Sequence, residues 1–142
     1  MSEEQSTLRP CALVILAAGQ GSRMNSDLPK VLHPIGGAPL VAHAMRAGAA
    51  LEPARIIVVT GHGAEQVEAA VAAHQDAAIC VRQTEQLGTG HAVLQAKAAL
   101  EGFEGDVIVL YGDTPFISEE TLLSMQAARA HHDVIVLGFE AA

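Results

Sequence analysis

Residues 12–24 read ALVILAAGQGSRM. The first six are apolar without alternation, which is the pattern of a strand covered on both faces. They run straight into a loop with two glycines and a cation. Four more short apolar runs repeat the first half of this pattern: residues 55–60 (RIIVVT), 78–82 (AICVR), 106–111 (DVIVLY) and 134–139 (VIVLGF). Helical stretches fall between them, at about 40–50, 64–74, 89–100 and 118–130. In the second, Val67 and Val71 stand four apart, with Glu65 and Glu68 on other faces. Ser118 is expected to cap the last helix, with Glu119 and Glu120 at the positive end of its dipole. Strand and helix in strict turn imply an α/β fold: a Rossmann-like, three-layer sandwich around a mostly parallel sheet with right-handed crossovers. Ligands in such sheets bind at the carboxyl ends of the strands. The loops to read are therefore residues 18–39, 61–63, 83–90 and 112–116.

Composition narrows the partners. The 142 residues fit one domain. Half are apolar, but 26 of those are alanine, which suits thin helices on a Val/Ile/Leu sheet. One Tyr, three Phe and no Trp leave little for a base-stacking platform. A net charge of −8 argues against a generic nucleic-acid binder. The charge is uneven. Residues 10–51 carry Arg23, Lys30 and Arg46 against Asp27 alone, and residues 52–142 carry a local −9. An anionic ligand is expected near the N-terminal cations. No apolar run reaches membrane-spanning length or resembles a signal peptide, so no membrane partner is expected. Cys11 and Cys80 lie in strand-like surroundings with no CxxC, and read as buried free thiols of a cytoplasmic protein. Residues 1–10 are polar and read as a flexible lead-in.

The loops carry the chemistry. In the first, Gly19 and Gly21 permit close approach of a ligand to backbone N–H groups. Arg23 offers a fork of donors to phosphate oxygens, and Lys30 a mobile point charge. A triphosphate cradle competes here with a tight turn bearing two solvated charges. The pair Gly61/Gly63 reads as a tight turn only. A dinucleotide fingerprint fails, because Met24 stands where its third glycine belongs and residues 59–61 (VTG) supply no acid for a ribose. GxxxxGK[ST] is absent. In the third loop, Gln83 offers both a donor and an acceptor, as reading a pyrimidine edge requires. Gly88 lets backbone lie close to a planar base, and Thr89 can donate a bond. The alternative makes Thr89 a plain N-cap and His91 a first-turn surface residue. In the fourth loop, Asp113 follows a buried strand, where a carboxylate can hold Mg²⁺ or merely end the strand before Thr114-Pro115. The seven histidines form no metal set, and His131-His132-Asp133 reads as a solvated helix end.

LAAGQGSRM (residues 16–24), SDLPKVLH (26–33), QTEQLGTGHA (83–92) and LYGDTP (110–115) stand in this order and spacing. Together they resemble the sugar-1-phosphate nucleotidyltransferases, and within them the bacterial UDP-N-acetylglucosamine pyrophosphorylases. The resemblance spans about residues 11–142. Gln20 and Ser22 fill positions where that family varies. It implies the nucleotide-diphospho-sugar transferase type of fold. It also implies transfer of a uridylyl group from UTP to N-acetylglucosamine 1-phosphate, giving UDP-N-acetylglucosamine and pyrophosphate. Leu16, Ala17, Ala18 and Gly19, with Gln83, Gly88 and Thr89, would hold uracil and ribose. Arg23 and Lys30 would bind phosphates as the catalytic cations, and Asp113 would carry Mg²⁺. Tyr111 and Gly112 would lie near the sugar. The family continues further, with a sugar-pocket glycine, a glutamate, an NTG-type asparagine and a second Mg²⁺ ligand. None can be placed here, nor can the hexapeptide repeats of bifunctional members. Residues 11–142 are thus expected to be the nucleotide-binding part of a longer domain, with any oligomer formed through parts absent from this sequence. A non-catalytic nucleotide-binding domain, or a relative using another sugar phosphate or nucleotide, remains open.

Overall fold

A computed structural model describes residues 10–18, 29–75, 77–85, 88–112, 117–129 and 131–132, with only the backbone of Thr89. The elements in chain order are β1 (Cys11–Ala17), a 3-10 turn (Lys30–Leu32), β2 (Pro34–Ile35), β3 (Ala38–Pro39), α1 (Leu40–Ala49) and β4 (Arg55–Thr60). Then follow α2 (Ala64–His74), β5 (Ile79–Arg82), α3 (Thr89–Gln95), a second 3-10 turn (Ala98–Leu100), β6 (Asp106–Tyr111) and α4 (Glu119–Ala128). The main sheet has the order β5-β4-β1-β6. All its pairings are parallel.

Strand β1 lies between β4 and β6 and is buried along its whole length. Its side chains divide between two cores. Leu13 and Ile15 meet Val41 and Met45 of α1, Val67 and Val71 of α2, and Leu122 of α4. Val14 and Leu16 meet Ile57 and Val59 of β4 and Ala92 and Ala96 of α3 on the other face. Each fully buried aliphatic side chain contributes about 1.5–3 kcal/mol, so this strand holds the three layers together. Gly48 lets α1 close onto it, since a Cβ there would collide with Leu13 Cδ2.

Several elements differ from the sequence expectation for physical reasons. β6 repeats the apolar run of β1 but pairs only with β1 among the described residues, and its Val107, Val109 and Tyr111 are 40–50% exposed. The helix expected over residues 89–100 ends at Gln95 and continues as a 3-10 turn. Arg55 Nη1 donates to the carbonyls of Ala99 (3.1 Å) and Glu101 (2.9 Å), and its guanidinium sits over the Phe103 ring. These contacts hold the segment in its tighter path. The hairpin β2–β3 was not expected, because two-residue strands carry no periodicity. Its turn is Gly36-Gly37, with both φ values positive as a tight hairpin requires.

The expected cap of the last helix is present. Ser118 caps α4, its Oγ accepting from the Thr121 N–H at 3.1 Å. Cys11 is buried and donates to the Leu51 carbonyl, while Cys80 is half-buried. Burial pushes both thiols upward in pKa, so both favour the protonated form. Among the described residues, no helix is long and apolar enough to cross a membrane. The strand expected over residues 134–139 lies outside the described residues.

Candidate functional site

The order in which strands are added to the sheet reverses between β1 and β6. From β1 the chain winds outward through β4 to β5, then returns to the far side of β1. That switch point at the carboxyl edge is where open α/β sheets bind ligands. Register aligns the ends: Leu16 faces Val59 and Tyr111, Ala17 faces Thr60, and Thr60 faces Arg82. Three strand spacings separate β5 from β6, about 14 Å across this edge.

At the switch point the Gly112 N–H donates to the Leu16 carbonyl at 2.9 Å. A side chain at Gly112 would press on Val31 Cγ1 (3.1 Å) and the Leu16 carbonyl (3.2 Å). Glycine therefore lets the Lys30–Leu32 turn settle over the junction of β1 and β6. Val31 is buried there, and Lys30 beside it is exposed. Pro29 is buried against Gly63, whose φ of +65° favours glycine and whose Cβ would strike Pro29 Cγ. The Gly61/Gly63 turn is thus a seat for the Pro29-Lys30 segment, in line with its reading as structural. The Ala18 carbonyl accepts from the His62 N–H at 3.4 Å. Leu16, Ala17, Ala18, Lys30, Tyr111 and Gly112 are brought together at this corner. Gly19, Arg23 and Asp113 lie outside the described residues.

The β5 side of the edge is built on a polar network. Thr60, fully buried, donates through Oγ1 to Glu68 Oε2 (3.1 Å). Arg82 grips the same carboxylate with two bonds of 2.9 Å. That hydrogen bonding from Arg82, opposed by burial and aided by Thr60, holds the Glu68 carboxyl below its ordinary pKa. The network clamps α2 to the ends of β4 and β5. From there the Gln83 N–H donates to the Thr60 carbonyl at 2.7 Å. The Gln83 side chain turns inward and only 4% of the residue is exposed. Its Nε2 donates to the Gly88 carbonyl (3.3 Å) and lies 2.9 Å from His91 Nδ1. Gln95 Nε2 donates to the His91 carbonyl (3.2 Å) and abuts the ring at Nε2 (3.2 Å). Gly88 has φ 98° and ψ 178°, a conformation essentially restricted to glycine. It caps α3, so Thr89 is the first helical residue and not the N-cap. His91 is half-buried against Gln83, not a free surface residue. Its spacing of eight from Gln83 was the available signal, and it means nothing until Gly88 folds the chain back.

A family model for the MobA-like NTP transferase domain matches residues 13–141. The chain belongs to this family of nucleotidyltransferases. This NTP transferase domain is 75% identical over 132 residues to the bifunctional protein GlmU of Dinoroseobacter shibae, covering 92% of this chain and 29% of that protein. It spans under a third of the length of the curated relatives it matches. A nucleotidyl transferase from Methanothermobacter thermautotroptrophicus has the same fold, with a TM-score of 0.69 and 28% identity over 83% of this chain and 57% of that one. A CMP:2-keto-3-deoxy-manno-octonic acid synthetase complexed with CTP matches at a TM-score of 0.62 and 30% identity, over 86% of this chain and 48% of its own. The fold of the NTP transferase domain is thus the expected Rossmann-like α/β sandwich.

Proposed function

We propose that this chain binds UTP and Mg²⁺ along the carboxyl edge of its sheet, as the nucleotide-binding part of an enzyme that makes UDP-N-acetylglucosamine from UTP and N-acetylglucosamine 1-phosphate. The observation that carries the reading is the seating of exposed Lys30 at the β1–β6 switch point, on the same sheet edge as the buried amide of Gln83. In this reading the base lies toward Gln83, Gly88 and Thr89. Leu16, Ala17, Ala18 and Gly19 complete the seat for uracil and ribose, and the triphosphate extends toward Arg23 and Lys30. The sugar phosphate approaches from Tyr111 and Gly112. Its phosphate oxygen bonds to the α-phosphorus of UTP as the bond to pyrophosphate breaks, so no protein nucleophile is required. Arg23 and Lys30 hold the phosphate oxygens in line and offset their charge.

Asp113 follows Gly112 directly in the sequence, and Gly112 itself lies against Val31 of the Lys30 turn. A single carboxylate completed by substrate phosphates matches the way Mg²⁺ is usually held. When bound, that ion would neutralise charge on the phosphate oxygens. The proposal includes a cytoplasmic location and a place in the supply of cell-wall precursors.

Asp113→Asn tests the metal assignment. Mg²⁺ should strengthen UTP binding to the wild type by about tenfold or more, the worth of one charge-assisted interaction, and Asn should abolish that gain with melting unchanged. An Asn variant that keeps the full Mg²⁺ effect would show that Asp113 only ends its strand, since Asn suits that turn equally.

A further inference from the structure

We propose that His91 is a positioning residue that fixes the amide polarity of Gln83 and thereby sets the preference of the site for uracil over cytosine. The inference rests on the proposed role of Gln83 as the base reader. A side-chain amide can be turned over with little change of shape, so a buried glutamine reads a base reliably only if something decides which end faces out. Here the Gly88 carbonyl lies 3.3 Å from Gln83 Nε2. A carbonyl only accepts, so the NH₂ end must face it. The same NH₂ lies 2.9 Å from His91 Nδ1. That nitrogen must then present its lone pair, and the neutral ring carries its proton on Nε2. Both amide hydrogens are committed, and Oε1 is left as a pure acceptor. Set against the N3 position, an acceptor matches uracil, whose N3 carries hydrogen. It repels cytosine, whose N3 is a lone pair.

The opposing arrangement puts the ring proton on Nδ1 and turns Gln83 Oε1 toward both His91 and the Gly88 carbonyl. It would satisfy Gln95, whose Nε2 lies 3.2 Å from the other ring nitrogen. It would also set two carbonyl oxygens face to face beside a residue that is only 4% exposed. Gln95 is half-buried, so water can relieve a mismatch there, whereas the mismatch at Gln83 has no such relief. Without the ring, one 3.3 Å bond alone orients the amide.

The test compares UTP and CTP affinities of the wild type, Gln83→Ala, His91→Phe, His91→Asn and the double variant Gln83→Ala/His91→Phe. His91→Phe keeps the bulk and loses the acceptor. The UTP preference should fall about tenfold, to the level of Gln83→Ala, and the double variant should fall no further. His91→Asn, whose amide oxygen can take the place of Nδ1, should keep most of the preference. If Gln83→Ala retains the preference, Gln83 does not read the base and the inference falls with that reading. If Gln83→Ala loses it while His91→Phe keeps it, the base reader stands and His91 does not position it. Nitrogen-15 shifts of the His91 ring in the wild type give a check that needs neither nucleotide nor variant. The Nε2–H tautomer supports the assignment, and Nδ1–H overturns it.

Discussion

Leu13→Ala is expected to lower the free energy of unfolding by about 2–5 kcal/mol. Leu13 is completely buried at the middle of the central strand. Its Cδ2 fills the space left by the missing side chain of Gly48 on α1. Truncation removes buried methyl groups and opens a cavity that β4 and β6, hydrogen-bonded on either side, cannot collapse to fill. A domain of ordinary stability, about 5–15 kcal/mol, would lose a large part of it. Leu123→Ala is the control. Leu123 is exposed on α4, and its truncation should stay within about 0.5 kcal/mol. Urea unfolding of both variants measures the difference. Equal small losses would contradict the layered core described above.

Arg23→Ala is expected to weaken UTP binding by about tenfold to a hundredfold while leaving uridine binding nearly unchanged. Loss of a charge-assisted bond costs about 1.5–3 kcal/mol, and that cost falls only on the ligand that carries phosphates. Arg23 itself lies outside the described residues. Its assignment rests on the interval it occupies, after β1 and before the Lys30 turn, both of which open onto the switch point. Calorimetric titration with the two ligands separates the cases. Parallel losses for UTP and uridine would place Arg23 in the fold and not in phosphate binding.

The alternation of strand and helix was legible because β1 and β4 are buried runs long enough to lack polar interruptions. The position of a strand in the sheet was not. Residues 106–111 look as central as residues 12–17, yet among the described residues β6 pairs with β1 alone and leaves Val107, Val109 and Tyr111 partly exposed. Local pattern reports what a face is made of, and only topology decides what lies against it. The early end of α3 had the same origin, since alanine-rich residues 96–100 suit a helix but Arg55 reaches from β4 to the carbonyls of Ala99 and Glu101. The candidate site reads in the sequence as a set of loops at one sheet edge, and the structure places Gln83, Lys30 and Gly112 at that edge. What the sequence concealed was the support beneath them. Pro29 on Gly63, Val31 over Gly112 and His91 against Gln83 join residues from different turns of the chain, and only the folded backbone makes them neighbours.

Titration of UTP with Mg²⁺ into the ¹⁵N-labelled chain tests most directly whether the nucleotide lies along the carboxyl edge of the sheet. Amide shifts should concentrate at Leu16, Ala17, Ala18, Lys30, Gln83, Gly88, Tyr111 and Gly112. The amides of Cys11, Arg55 and Asp106, at the amino ends of β1, β4 and β6, should stay in place. Shifts clustered at those amino ends, or no shifts at millimolar UTP, would contradict the proposed site.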